Sequence, residues 1–349
     1  MMIEEGAVRL DIGDVSKISK SMDVFYNPVM KLNRDVSIEV IKRAFSKRKA
    51  RVALPLAGSG IRAARFLSEC PDSIEYISLN DYREGFNQHV KSMMDDNGIK
   101  SGYISSEQDA EIFLLLSDGF DYIDIDPFGT PNPFLDPAVK RIAREGILAV
   151  TATDTSALAG TYIGPCKRKY GSIPMRNWLK HVVGLRILIR KVQLSGAQYE
   201  KALYPVFSYS KDHYYRVFFR CKKGKKLCDE ILKKHEYLVY DKEELSYGFS
   251  KRNTGDYAGP LYSGELWDKD FSGISLIEHI PVEASFEGKY IDIHEICKKK
   301  SLAIPRFSYI SDSLRERGFK CSRTHFMKHG MKTDAPMPEI IDVISSYKA

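Results

Sequence analysis

No stretch of this 349-residue chain is apolar over the length that a bilayer crossing requires, which excludes a helical membrane span. The first 14 residues carry Glu4, Glu5, Asp11 and Asp14 and no apolar core, so they resemble neither a secretory nor an organellar leader. A soluble cytoplasmic protein is expected. Cysteine is sparse: Cys70, Cys166, Cys221, Cys228, Cys297 and Cys321 stand apart with no Cys-x-x-Cys pair, which argues for free thiols. Cys221, Cys228 and His235 come nearest to a metal-ligand set, but their spacing is not that of a zinc knuckle, and no metal is expected. Internal repeats and long low-complexity tracts are also missing.

What is present is a chain 43% hydrophobic and 28% charged, enough to bury the cores of two domains. Its net charge of +7 suggests a polyanionic partner. The excess is spread thinly: residues 222–349 hold 22 Lys and Arg against 20 Asp and Glu, a net of +2, and residues 1–221 hold 31 against 26, a net of +5. Any nucleic-acid surface must therefore be built from local patches.

The first half alternates strand and helix patterns, as a parallel α/β sheet does. An apolar run at 51–56 enters the turn Ala57-Gly58-Ser59-Gly60, and helical spacing follows over 61–69. A second buried-strand run, 74–80, ends at Asp81, roughly 20 residues beyond the glycine turn, the distance at which α/β nucleotide sites place a carboxylate on ribose hydroxyls. Helices are predicted over 84–96 and 111–116, the latter opened by Asp109-Ala110, with a short strand at 102–105 between them. The run Phe120-Asp-Tyr-Ile-Asp-Ile125 alternates apolar residues with acids and leads into Asp126-Pro127-Phe128-Gly129. A helix near 135–145 and a fifth strand at 147–151 follow. After an irregular stretch, 153–175, come a long helix over 178–194 and a closing hairpin of 201–208 and 214–221. This outline is that of a class I (Rossmann-like) S-adenosylmethionine-dependent methyltransferase more than of a dehydrogenase. The run Lys222-Lys-Gly-Lys-Lys226 marks the expected boundary between a domain at 1–221 and a smaller α+β domain at 222–349.

A glycine turn with a distant acid serves both NAD and S-adenosylmethionine sheets. A dinucleotide needs three glycines and an open helix N-terminus, whereas only Gly58 and Gly60 occur here and Arg62 follows at once. S-adenosylmethionine needs close backbone approach, a ribose carboxylate at Asp81, and an arginine for its own carboxylate, for which Arg34 and Arg62 are candidates. Arg62 reads equally well as a solvated first-turn residue. Asp126 to Gly129 lies at the carboxyl end of the fourth strand, where open α/β sheets bind ligands. Methylating an exocyclic amine requires an acceptor for its N–H groups, because the nitrogen lone pair is delocalised into the base. Asp126 with the carbonyl beside or at Pro127 supplies that acceptor, Pro127 fixes the backbone, and Phe128 offers a stacking face. The plain alternative is an Asp-Pro turn with a core phenylalanine.

With these pieces placed, the sequence resembles the tRNA (guanine-26-N2)-dimethyltransferase family over nearly its whole length. The segments that carry the resemblance are Phe25-Tyr26-Asn27-Pro28, Asn33-Arg34-Asp35, Gly58-Ser59-Gly60-Ile61-Arg62, Asn80-Asp81, Asp109-Ala110, Asp126-Pro127-Phe128-Gly129, Thr153-Asp154, Asp212-His213-Tyr214-Tyr215-Arg216, Gly259-Pro260-Leu261, Ser322-Arg323-Thr324-His325 and Lys332-Thr333-Asp334-Ala335-Pro336. The resemblance implies that Arg34, Arg62, Asp81, Asp109 and Ala110 line an S-adenosyl-L-methionine pocket, that Asp126 is the catalytic carboxylate, and that Phe128 and Phe25 enclose the guanine. It also implies tRNA as partner; a monomer is expected. Some relatives carry a four-cysteine zinc site early in the second domain. Residues 238–248 contain no cysteine here.

Two basic clusters suit RNA. Arg315, Arg317, Lys320, Arg323, Lys328 and Lys332, offset by Glu316, give 6 minus 1, or +5, and are interleaved with Phe319, Phe326 and two histidines. Lys167, Arg168 and Lys169 precede Tyr170, whereas Lys298 to Lys300 read as a solvated helix end. Methylation of a different amino acceptor in RNA, DNA or protein, and a non-catalytic RNA-binding module, are the competing readings.

Overall fold

The computed structural model describes residues 2–12 and 26–347. An antiparallel hairpin, β1 (Met2–Glu5) and β2 (Val8–Asp11), comes first, and helix α1 (Lys31–Ala44) follows. Neither is marked by a strong sequence pattern. The alternation then runs β3 (Ala50–Leu54), α2 (Ile61–Glu69), β4 (Ile74–Asn80), α3 (Phe86–Asp96), β5 (Tyr103–Ser106), α4 (Ala110–Leu116), β6 (Phe120–Ile125), α5 (Asn132–Arg141) and β7 (Ile142–Ala152). The parallel pairings β5-β4-β3-β6-β7 agree with the expected five-strand sheet. Strands β8 (Lys201–Lys211) and β9 (Tyr214–Lys223) complete seven strands in the order β5-β4-β3-β6-β7-β9-β8. Joined by two residues and adjacent in the sheet, they form the expected closing hairpin.

The chain builds outward from β3 toward β5 and then returns to add β6 on the other side of β3. Strand order reverses between β3 and β6. That reversal opens a crevice at the carboxyl ends of the two strands, the place where open α/β sheets bind ligands.

The helix after β6 is shifted from expectation. The helix expected over 135–145 lies at 132–141, because Pro133 sits in its first turn, where a missing N–H leaves no bond unmade. Residues 142–145 join β7 instead. There Glu145 takes φ +60, and a Cβ on Gly146 would lie 2.8 Å from the Asp121 carbonyl, so the strand kinks where its pairing with β6 shifts register. The stretch 153–175 is not irregular throughout: it contains α6 (Thr155–Leu158) and α7 (Ile163–Tyr170) ahead of the long helix α8 (Lys180–Ala197).

Contacts divide the chain into two compact units that interleave in sequence. Met1–Thr153, Val192–Pro205 and Arg216–Ile231 form the first, and Asp154–Lys191, Val206–Tyr215 and Leu232–Ala349 the second. The boundary expected at 222–226 thus falls inside the first unit. The second unit holds β10 (His235–Asp241), β11 (Ser246–Ser250) and β12 (Asp256–Tyr262), an antiparallel sheet in the order β11-β10-β12. A second sheet, β13 (Lys289–Asp292), β14 (Cys321–Arg323) and β15 (Gly330–Thr333), has the order β13-β15-β14. Helix α9 (Lys225–Leu232) precedes the first of these sheets; α10 (Ile280–Glu283), α11 (Ile293–Lys300), α12 (Phe307–Glu316) and α13 (Met337–Ser345) complete the chain. Among the described residues no helix is long and apolar enough to cross a membrane, and no group of three or more His, Cys, Asp or Glu is placed to hold a metal. All six cysteines are buried and unpaired.

Candidate active site

The site is assembled from loops at the carboxyl ends of β3, β4, β5 and β6. After β3 the backbone turns through Gly58 (φ +60) and Gly60 (φ +77) into α2. At Gly60 a side chain is excluded twice over: the conformation is left-handed, and a Cβ would stand 3.0 Å from Met93 and 3.2 Å from Val90 on α3. The Gly58 N–H donates to Asp81 Oδ2 at 2.9 Å, which fixes the turn against the end of β4. Asp81 Oδ1 accepts from Arg83 Nε at 2.9 Å, and Arg83 also donates to the Gly58 carbonyl.

Asn80 locks the third loop to these two. Fully buried, it donates to the carbonyls of Pro55 and Gln108 (3.1 and 2.9 Å) and accepts from Ser106 Oγ and Gln108 N (2.8 and 3.1 Å). Two donors and two acceptors fill the capacity of one amide. Asp109, held beside that anchor, caps α4 through Glu111 N and Ile112 N (2.8 and 3.1 Å), and Ala110 is buried in the first turn.

Strand periodicity explains the acidic edge. Tyr122, Asp124 and Asp126 are two apart and share one face of β6 and its continuation. Arg62, one residue into α2, reaches that face: it donates to Asp126 Oδ2 at 2.5 Å, lies 3.3 Å from Asp124, and bonds Ser37 Oγ and Asn33 Oδ1 at 2.9 Å each. Arg216, from β9 and wholly buried, grips both Asp124 oxygens at 2.8 and 2.7 Å and also reaches Thr151 and Ser37. Burial pushes the Asp124 carboxyl upward, but Arg216 and Arg62 outweigh it and hold the group below its ordinary range. The Tyr122 hydroxyl donates to Asp124 at 2.7 Å. Two arginines and two aspartates thus make a balanced network under the site, and Asp126, 18% exposed in its side chain, is its outward end. Arg62 is engaged by these carboxylates; it is not a solvated first-turn residue.

The turn that follows is pinned. Gly129, at φ +88, donates from its N–H to Thr153 Oγ1 (2.6 Å) while its carbonyl accepts from Thr153 N (2.9 Å). Pro127 is buried and Phe128 stands 51% exposed. Phe25 lies outside the described residues. Its neighbours are anchored: the Tyr26 hydroxyl donates to Glu5 Oε2 at 2.9 Å, and the Asn27 carbonyl accepts from Arg34 at 3.2 Å.

Glu5 carried no signal in the sequence, yet it organises the N-terminal side. Its two oxygens accept from Arg34 Nε (2.6 Å), Arg34 Nη2, Arg65 Nη1 (2.8 Å) and Tyr26, tying β1 to α1 and α2. Burial favours the neutral acid, but Arg34 and Arg65 prevail and bring its pKa from 4.5 down to about 2. A depressed carboxyl contributes stability above its unfolded pKa and loses it as the pH falls toward the folded one. Wild type should therefore exceed Glu5→Gln in unfolding free energy by about 3 kcal/mol at pH 7. The gap should narrow steadily from pH 5 to pH 2 in urea titrations, and a gap that does not change with pH would contradict this ion pairing.

The basic residues divide. Lys167, Arg168 and Lys169 are exposed in the last turn of α7, with Lys169 3.2 Å from Asp154. Lys320, Arg323 and Lys328 are exposed, Arg323 lying over the Phe307 ring at 4.0 Å. Arg315 is 3.4 Å from Asp312, whereas Arg317 is neutralised by Glu339 and Asp342 at 2.7 and 2.6 Å. Lys332 departs from the expected phosphate-contacting role: only 7% exposed, it donates to the Glu283 and Phe286 carbonyls at 2.6 and 2.7 Å, because β15 turns it inward. His325 is likewise internal. Its Nε2 accepts from Ser210 N at 3.4 Å, which leaves the proton on Nδ1, 2.9 Å from Glu283.

Comparison with known proteins identifies the family. Residues 6–345 match the family described as N2,N2-dimethylguanosine tRNA methyltransferase. A tRNA (guanine(26)-N(2))-dimethyltransferase of Methanobrevibacter smithii is 36% identical, with 99% of this chain and 97% of that protein aligned. A tRNA (guanine(26)-N(2)/guanine(27)-N(2))-dimethyltransferase of Aquifex aeolicus is 34% identical over 97% of this chain and 94% of its own length. Among solved structures, Trm1 from Pyrococcus horikoshii in complex with S-adenosyl-L-methionine superposes with a TM-score of 0.88 at 29% identity, covering 99% of both chains. The chain belongs to the N2,N2-dimethylguanosine tRNA methyltransferase family, a family of S-adenosylmethionine-dependent enzymes.

Proposed function

We propose that this enzyme methylates the exocyclic N2 of guanine 26 in tRNA, the position named for its relatives, to give N2-methyl- and N2,N2-dimethylguanosine. The observation that carries the reading is Asp126: a carboxylate at the switch point of the sheet, one oxygen held by Arg62 and the other, Oδ1, left for an amino group. The bare glycine turn fits close approach of S-adenosylmethionine, Asp81 is placed for its ribose, and Asp109 with Ala110 lines the third edge. The resemblance puts Arg34 and Arg62 near its amino-acid end, where each already holds a carboxylate, Glu5 and Asp126. Bound there, the cofactor supplies the electrophilic methyl group.

The chain's own residues do the rest. Asp126 Oδ1 accepts an N2–H, which turns the nitrogen lone pair out of conjugation and takes the proton as the bond to carbon forms. Arg62 keeps the other oxygen fixed, so the acceptor does not rotate away. Phe128, with Phe25 as the resemblance implies, encloses the flipped base. Lys167, Arg168, Lys169, Arg315, Lys320, Arg323 and Lys328 supply phosphate contacts, with Arg317 as a neutralised neighbour. The setting we propose is a cytoplasmic monomer.

Methyl transfer from labelled cofactor to an unmodified transcript with guanine at position 26 should be robust, and an otherwise identical transcript with adenine there should take up about 1% or less, as expected where a buried acceptor loses its only N–H partner. Equal labelling of the two would overturn the site assignment.

A further inference from the structure

Lys332 and its neighbours, set aside by the chemistry at Asp126, border a cavity of about 790 Å³ within the second unit. It lies between the two three-stranded sheets: Tyr247 and Phe249 come from β11, Tyr290 from β13, Lys332 from β15, and Trp267 and Phe286 from the connecting loops. The Tyr247 hydroxyl accepts from Tyr290 N at 3.0 Å and holds the walls at a fixed spacing. Trp267 is fixed as well, its Nε1 donating to the Ser208 carbonyl at 2.8 Å and its ring edge-on to His325.

Inside are cations with unused donors. The Lys332 ammonium gives two of its three protons to carbonyls and sits 5.0 Å from the Phe286 ring and 5.7 Å from Trp267. The Arg186 guanidinium donates through Nη1 to the Tyr262 and Gly264 carbonyls, both at 2.8 Å, and lies over Phe249 at 5.2 Å. Its Nε–H is buried without an acceptor among the described residues. A buried donor without an acceptor is unfavourable, so the cavity favours an occupant that brings acceptors. Aromatic faces with inward-pointing donors suit a nucleobase, whose rings stack and whose carbonyl and ring nitrogens accept. The volume is ample for one.

We propose that this cavity takes up one unstacked nucleotide of the bound tRNA, a second base-binding site besides the one at Asp126. The inference rests on tRNA being the substrate. Phe249, 37% exposed at the rim, stacks on the base, while Arg186 Nε and the third Lys332 proton meet its acceptor edge. Lys332-Thr333-Asp334-Ala335-Pro336 and the strand-end Ser263 to Trp267 segment thereby acquire a common purpose as its wall.

Phe249→Ala should raise KM for an unmodified tRNA transcript by about 5- to 150-fold, the loss of one base stack, with kcat and cofactor affinity unchanged. Phe249→Tyr, which keeps the ring, should restore it. The chain has two tryptophans, so in Trp178→Phe the emission reports Trp267 alone, and that emission should be quenched on titration with the transcript. A KM unaltered in Phe249→Ala, or emission that the transcript does not quench, would overturn the proposal. Wild-type methyl transfer to the same transcript tests the parent reading separately, so the two failures are distinguishable.

Discussion

Asp126→Ala is expected to lower kcat for methyl transfer by about 10²- to 10⁴-fold, the usual contribution of a positioned proton acceptor, while cofactor affinity changes little. The separation follows from geometry. Asp126 ends the buried network and accepts from Arg62 at 2.5 Å, whereas the proposed cofactor side is built on the glycine turn, Asp81 and the Asn80-locked loop. Removing Asp126 leaves Arg62 with Asn33, Ser37 and Asp124, so its charge stays compensated and the fold survives. Single-turnover methyl transfer and calorimetric titration of the cofactor read the two effects independently. Activity within tenfold of wild type would make Asp126 a structural turn residue.

The second large effect concerns stability. Arg216→Met should lower the unfolding free energy by about 3–5 kcal/mol, because it leaves Arg62 alone to balance two carboxylates, Asp126 and the buried Asp124. Asp124 is 2% exposed and receives two bonds from Arg216. The double variant Asp124→Asn with Arg216→Met should recover part of the loss, since an apolar and amide pair leaves no unmatched charge. Urea unfolding followed by circular dichroism measures both. A loss below about 1 kcal/mol for the single variant would mean that the pair is not as dry as its burial implies.

The sequence revealed those elements whose local pattern matched their environment. α2, β4 and β6 lie where periodicity places them, and Asp109 caps α4 as its position suggests. Acids inside a strand were harder to read. Phe120-Asp-Tyr-Ile-Asp-Ile125 alternates as a half-exposed strand would, yet all six residues are buried, because Asp121 pairs with Arg48 and Arg51 and Asp124 with Arg216 and Arg62. Partners 62 to 92 residues away in sequence cannot be inferred from period two, as 124 minus 62 is 62 and 216 minus 124 is 92. Glu5 and Lys332 pose the same problem: a charge run reads as surface until tertiary pairing turns it inward. Of the candidate site, Gly58, Gly60, Asp81 and Asp126 were legible as chemistry in a local pattern. The arginines were legible as residues, while the contacts that define them depend on the fold.

The most direct test of the account replaces guanine 26 by inosine, which keeps the ring and its O6 and N7 acceptors but lacks the 2-amino group. With labelled S-adenosylmethionine, a transcript carrying inosine at position 26 should bind as the guanine transcript does and accept no methyl group. Incorporation equal to that of the guanine transcript would show that the group facing Asp126 Oδ1 is not the exocyclic amine.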